Sequence, residues 1–151
     1  MSLDNLVKTG QLKKQATTPE EVQRLLQSIA RNLQDARVAA ISNEARFDCA
    51  YRAIMQCAMV GVCASGYRPS TSVPGHHQMM IQSLPLTMNV DRSVWIVVDV
   101  LRRKRNLSDY TGETADAESL RECIEQAESL MTHTRSWLAT HHPDLLAPAN
   151  G

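Results

Sequence analysis

The chain is expected to be all-α, an up-and-down bundle of four or five helices. Three observations carry that expectation. Apolar residues recur at helical spacing along most of the sequence, and almost nothing alternates with period two. The longer periodic stretches open on Thr18, Ser42, Asp91 and Asp116, residue types that cap helices. The connections between those stretches are short, which favours antiparallel neighbours. With 151 residues, one domain is the simplest organisation, and it is long enough to bury a core.

Residues 1–17 read as an N-terminal arm or short helix, with Leu6, Val7 and Leu12 as its apolar positions. Thr18-Pro19-Glu20-Glu21 has the form of a capping box with Pro at the first helical position. Behind it Val22, Leu25, Leu26, Ile29 and Leu33 predict a helix from Pro19 to Ala40. Ser42-Asn43-Glu44 opens a second helix whose stripe is Phe47, Ala50, Tyr51, Ile54, Cys57, Ala58 and Gly61, closed by Ser65-Gly66. Its small residues Ala50, Ala58, Gly61 and Ala64 permit a close helix–helix approach.

Tyr67 to Gly75 holds two prolines among Ser and Thr and reads as a loop. A short third helix is expected over His76 to Leu84, followed by Pro85 and Asn89 as punctuation. The fourth helix runs from Asp91 to Tyr110 and ends at Gly112. Val94 to Val100 is β-branched enough to suggest a strand, but the flanking register is helical. Asp116 caps a fifth helix carrying Leu120, Cys123, Ile124, Ala127, Leu130, Met131, Thr134 and Leu138, stopped by His141-His142-Pro143. The bundle then spans residues 18–142, with 143–151 as a flexible tail. Trp95, Trp137 and the methionines at 55, 59, 79 and 80 read as packing residues.

Sixteen Lys and Arg balance sixteen Asp and Glu, so the chain is no generic nucleic-acid coater, whose affinity comes from neutralising phosphates. Only the run Arg102-Arg103-Lys104-Arg105 could supply a local basic patch. Four cysteines without CxxC spacing read as packed small side chains in a reducing compartment. No signal-peptide pattern opens the sequence, and no uncharged run approaches the roughly 18 apolar residues of a membrane span. The expectation is a soluble, cytoplasmic protein with no membrane partner. His76 and His77 lack further ligands at helical spacing, so no metal and no cofactor is expected. His133, His141 and His142 fall at or near the end of the fifth helix, where cationic residues are ordinary.

The fourth helix is unusual when placed on a wheel at roughly 100° per residue. Val94, Val97, Val98 and Leu101 form one apolar stripe, and Arg105 continues it one turn on. Ile96, Val100 and Leu107 form a second strip on the opposite side. Asp99, Arg103, Asn106 and Tyr110 lie between them. A surface helix of a monomeric bundle needs one apolar stripe, so the second strip predicts cover from another helix or from a twin subunit. Arg102 and Lys104 complement the helix dipole. Arg105 on the core side needs a partner or a wet cleft, with Asp48 and Asp109 as candidates.

Arg105-Asn106-Leu107-Ser108-Asp109-Tyr110, near the end of the penultimate helix, resembles the signature of HEPN domains. The likeness extends over most of the chain: a long capped first helix, a second helix ending in Gly66-Tyr67-Arg68-Pro69, a loop leading to His76-His77, then the motif helix. The resemblance implies a dimer and, in many members, metal-independent RNA cleavage, often as toxins paired with a nucleotidyltransferase-like antitoxin. There the Arg stabilises the scissile phosphate and a His a few residues later moves the ribose 2′-OH proton. Here that His position is occupied by Tyr110 after Asp109, a pattern that looks like HEPN subfamilies lacking the His. A phenol with a pKa of about 10 and a carboxylate of about 4 are poor bases at neutral pH.

The resemblance therefore implies RNA or nucleotide binding at a dimer cleft without efficient catalysis. Its nucleic-acid or nucleotide contacts would be Arg102, Arg103, Arg105, His76 and His77. Arg105, Asn106, Asp109 and Tyr110 are the candidate catalytic positions, and Ile96, Val100 and Leu107 the candidate dimer interface. One alternative is an active ribonuclease toxin in which Tyr110, Asp109 or a loop His takes the base role. The other is a non-catalytic structural dimer.

Overall fold

A computed structural model describes residues 1–146 of the chain. Along the chain the elements are α1 (Leu3–Lys8), β1 (Leu12–Lys14), α2 (Pro19–Ala36), α3 (Asn43–Ala64), β2 (Tyr67–Pro69), α4 (His76–Gln82), α5 (Leu84–Met88), α6 (Arg92–Thr111), α7 (Ala117–His141) and α8 (Pro143–Leu146). The fold is an all-α bundle with one small accessory strand pair.

The capping residues act as their types dictate. Thr18, Ser42 and Asp116 accept from the amides of Glu21, Ala45 and Ser119, and Asp91 accepts from Ser93. The capping box at Thr18 is only half made. Glu21 Oε1 accepts instead from Thr17 Oγ1 at 2.5 Å and Arg68 Nη2 at 2.6 Å, tying the start of α2 to β2. Gly112 ends α6 in the left-handed conformation expected of a helix-terminal glycine.

α3 is the central helix. Beyond the expected stripe it also buries Ala53, Val60, Val62, Cys63 and Ala64, so it is apolar nearly all round, as a fully surrounded helix must be. α2 and α7 pack along it. Gly61 lets α5 approach: a Cβ there would lie 2.7 Å from Thr87 Oγ1 and 3.1 Å from Met88 Cγ. α6 sits at the edge and buries only Val98, Asp99 and Leu101. No helix among the described residues is long and apolar enough to cross a membrane.

Several boundaries differ from expectation. α2 ends at Ala36, four residues early, where Arg46 Nε donates to the Ala36 carbonyl at 2.8 Å in place of a further helical amide. The segment read as a loop after Gly66 begins as a strand. β1 and β2 pair antiparallel, with Leu12 opposite Pro69 and Lys14 opposite Tyr67. Three-residue strands are too short to show alternation, and their pairing joins distant segments.

The third helix is broken at Ser83, whose hydroxyl donates to the Met80 carbonyl, and Pro85 stands in the first turn of a separate α5. Residues 1–17 are drawn into the core through Leu6 and Leu12. The tail expected from residue 143 begins with α8, whose Leu145 is buried. The rest of that expected tail lies outside the described residues. His133 lies about two turns inside α7 rather than at its end, and its Nε2 meets the Met88 carbonyl at 2.7 Å, joining α7 to the end of α5.

Candidate functional site

The four cations of the α6 run do not form one patch. Asp99 is 3% exposed and receives two of them: Arg102 Nε at Oδ1 and Arg103 Nη2 at Oδ2, each at 2.8 Å. Burial pushes the Asp99 carboxyl up, but the two guanidinium hydrogen bonds outweigh it and hold the group below its ordinary value. Lys104 turns the other way and donates to Ser119 Oγ at 2.9 Å. Arg105 continues the core stripe as expected. Its Nε lies 3.1 Å from Asp48 Oδ1 and its Nη1 4.0 Å from Asp109 Oδ2. Its guanidinium carbon stands 5.1 Å from the centre of the Tyr51 ring, a cation–π contact.

Successive helix positions rotate by about 100°, so the motif divides between two clefts on either flank of α6. One, of about 180 Å³, lies between α6, the start of α3 and the α6–α7 connection. Arg105 and Asp109 line it with Lys104, but so do Glu44, Asp48, Glu113 and Asp116, so its rim is acidic overall. A phosphate would be repelled there, and the charge of Arg105 is already shared between Asp48 and Asp109.

The other cleft, of about 230 Å³, is lined by Gly75, His76, His77, Gln78, Arg102 and Asn106. Gly75 precedes α4 with φ 81°, a left-handed turn that suits glycine. That turn places His76 and His77 side by side, their rings edge to face at 4.6 Å. The Tyr51 hydroxyl lies 3.5 Å from His77 Nδ1. Burial lowers the His77 pKa, and the neighbouring His76, Arg105 and Arg102 lower it further. Burial also pushes the Tyr51 phenol up to about 12, against the pull of Arg105 and Arg102. At neutral pH the pair is therefore an unprotonated imidazole beside a phenol that keeps its proton and can donate it to Nδ1.

The structure thus brings together Arg102, Asn106, His76 and His77 in one cleft, with Arg105 behind them across the Tyr51 ring. It separates Asp109 into the acidic cleft. Arg103 lies outside both clefts. Tyr110 is in neither cleft and is 90% exposed. The second apolar strip is uncovered by any helix among the described residues: Ile96 is 53%, Val100 42% and Leu107 57% exposed.

Sequence reasoning passed over Tyr51, Gln78 and Asp99 as site residues. The signal for Tyr51 was available, because a phenol on a buried stripe needs a polar partner. No group of three or more His, Cys, Asp or Glu among the described residues is arranged to hold a metal ion. Cys49, Cys57, Cys63 and Cys123 are free thiols, and burial pushes Cys57, Cys63 and Cys123 up to about 12, 11 and 12. These are packed, unreactive side chains. Comparison with protein-family models, curated proteins and solved structures finds no match for this chain.

Proposed function

We propose that the chain is a HEPN-like helical protein that binds RNA or a nucleotide in the cleft between α4 and α6, in a cytoplasmic setting. The observation that carries this is the convergence of Arg102, Asn106, His76 and His77 on one cleft. Asp99 is a single carboxylate set against both Arg102 and Arg103, so this flank keeps a surplus positive charge. A phosphate meets there a guanidinium, a side-chain amide and imidazoles, the donor types that position phosphates. The order of elements supports the family reading: a long capped helix, the Gly66-Tyr67-Arg68-Pro69 exit, the loop to His76-His77 and the Arg-Asn helix.

Ile96, Val100 and Leu107 are proposed as the face between two copies. Their exposure supports it, since an apolar strip left in water favours association. A nucleotidyltransferase-like antitoxin is the partner that the family resemblance implies.

A second reading is metal-independent ribonuclease activity, and His77 favours it. A neutral imidazole beside an arginine is the group that Asp109 and Tyr110 are not. RNA incubated with purified protein in chelating buffer tests it, with wild type beside His77→Gln and Arg102→Gln. Binding without cleavage supports the binding protein. Cleavage by wild type alone, leaving cyclic phosphate ends, establishes the nuclease. Wild-type protein that neither binds nor cleaves RNA or nucleotides overturns both.

A further inference from the structure

Among the described residues, no carboxylate lines the α4–α6 cleft. Its polar side chains are the His76 and His77 imidazoles, the Gln78 and Asn106 amides and the Arg102 guanidinium, all able to donate a hydrogen bond. The carboxylates paired with the neighbouring arginines lie outside this lining: Asp99 holds Arg102 and Arg103, while Asp48 and Asp109 hold Arg105. Donors gathered without an acceptor charge of their own suit a small anion. At about 230 Å³ the cleft is smaller than the roughly 300–1,000 Å³ pockets that enclose a drug-sized molecule. A single oxyanion is the unit that fits.

Of the lining groups, only the two imidazoles change charge near neutral pH. His77 is set apart by what faces it. From α4 itself comes His76, its ring 4.6 Å away. From α3 comes the Tyr51 hydroxyl, 3.5 Å from Nδ1. From α6 come the charges of Arg105 and Arg102, and α5 carries no titratable side chain. Desolvation, then His76, Arg105 and Arg102, keep this imidazole neutral at pH 7.

An anion seated among these groups reverses that balance. It offsets the repulsion from the two arginines, so the ring gains a proton as the anion binds. The Tyr51 hydroxyl donates to Nδ1 of the neutral ring and can turn to accept from Nδ1–H of the charged one. Resting on the phosphate-binding role proposed above for this cleft, we infer that the site is proton-coupled: it takes one oxyanion, the phosphoryl group of a small ligand, together with one proton at His77. Affinity then rises as pH falls, by at most about tenfold per pH unit, the limit for a single proton.

The test uses sulfate, which stays a dianion throughout this range, so that any pH dependence belongs to the protein. The imidazole resonances of the full chain are followed by NMR between about pH 5 and 8, with and without sulfate. Sulfate is expected to raise the His77 pKa, and its affinity to increase about three- to tenfold for each unit that pH falls. His77→Gln should remove that slope and His76→Gln should retain it, with circular dichroism checking the fold of both. Titrations with inorganic phosphate and with AMP then identify the source of the phosphoryl group. Matched affinities assign free phosphate, and AMP tighter by about tenfold or more assigns a phosphate ester; both support the site.

Sulfate affinity that is flat with pH, or a slope that survives in His77→Gln, overturns the proton coupling while the anion site stands. A wild type that binds neither sulfate, phosphate nor AMP at any pH overturns the site and the phosphate-binding role with it.

Discussion

Replacing Asp99 by Asn probes the electrostatics beneath the proposed site with a nearly isosteric change. Asp99 gives one carboxylate oxygen to Arg102 and the other to Arg103, both at 2.8 Å. A hydrogen bond to a charged group contributes about 1.5–3 kcal/mol and a neutral one about 0.5–1.5. Asn keeps one acceptor for Arg102 but loses the charge, and it turns an amide donor toward Arg103. The Arg103 side chain is 68% exposed, so its share falls to that of a surface pair, about 0–1 kcal/mol. The net expectation is a loss of about 2 kcal/mol at neutral pH, or a Tm lower by about 4–8 °C for a chain of this size.

The effect has a pH signature. The folded-state pKa of Asp99 is depressed, so its contribution is fully present above the unfolded carboxylate value of about 3.9 and is lost as pH falls through the lower folded value. Thermal melts followed by circular dichroism at pH 7 should therefore separate Asp99→Asn from wild type, and melts below the folded pKa should bring them together. Equal melting temperatures at pH 7 would refute the reasoning. They would mean that the desolvation of a buried carboxylate cancels both of its ion pairs.

The remaining expectations use other parts of the fold. Leu101→Ala empties a fully buried position of α6 and should cost about 2–5 kcal/mol in urea unfolding; a loss below 1 kcal/mol would show that α6 is not docked through that stripe. Because the folded pKa of His77 is lowered, wild-type stability should fall as pH drops through the unfolded imidazole value of about 6.5 toward the folded one. His77→Gln should remove that limb, and parallel pH curves for the two proteins would contradict the assignment. If Ile96, Val100 and Leu107 join two copies, Leu107→Asp should shift sedimentation from dimer to monomer; a wild type that is monomeric at micromolar concentration would exclude this face as a stable interface.

The parts of this protein legible from the sequence were the local ones. Thr18, Ser42, Asp91 and Asp116 cap their helices because a short polar side chain reaches its own next turn whatever surrounds it. The periodic stripes placed Val98 and Leu101 inside and Arg105 in line with them, and the need to compensate that guanidinium singled out Asp48 and Asp109. The strip of Ile96, Val100 and Leu107 was equally visible, although no other helix among the described residues covers it.

What only the tertiary structure decided depends on how separate elements are rotated and brought together. Four consecutive cations read as one patch, yet they divide among Asp99 for Arg102 and Arg103, Ser119 for Lys104, and Asp48 and Asp109 for Arg105, because positions along a helix face different directions. The pairing of Leu12 with Pro69 joins segments too short to announce themselves. The meeting of His77 with Tyr51, and of Tyr51 with Arg105, requires α4 to lie across α3 beside α6. Spacing within a helix encodes which residues share a face. It carries no information about which face of a distant helix will stand opposite, because burial of the whole core decides that at once.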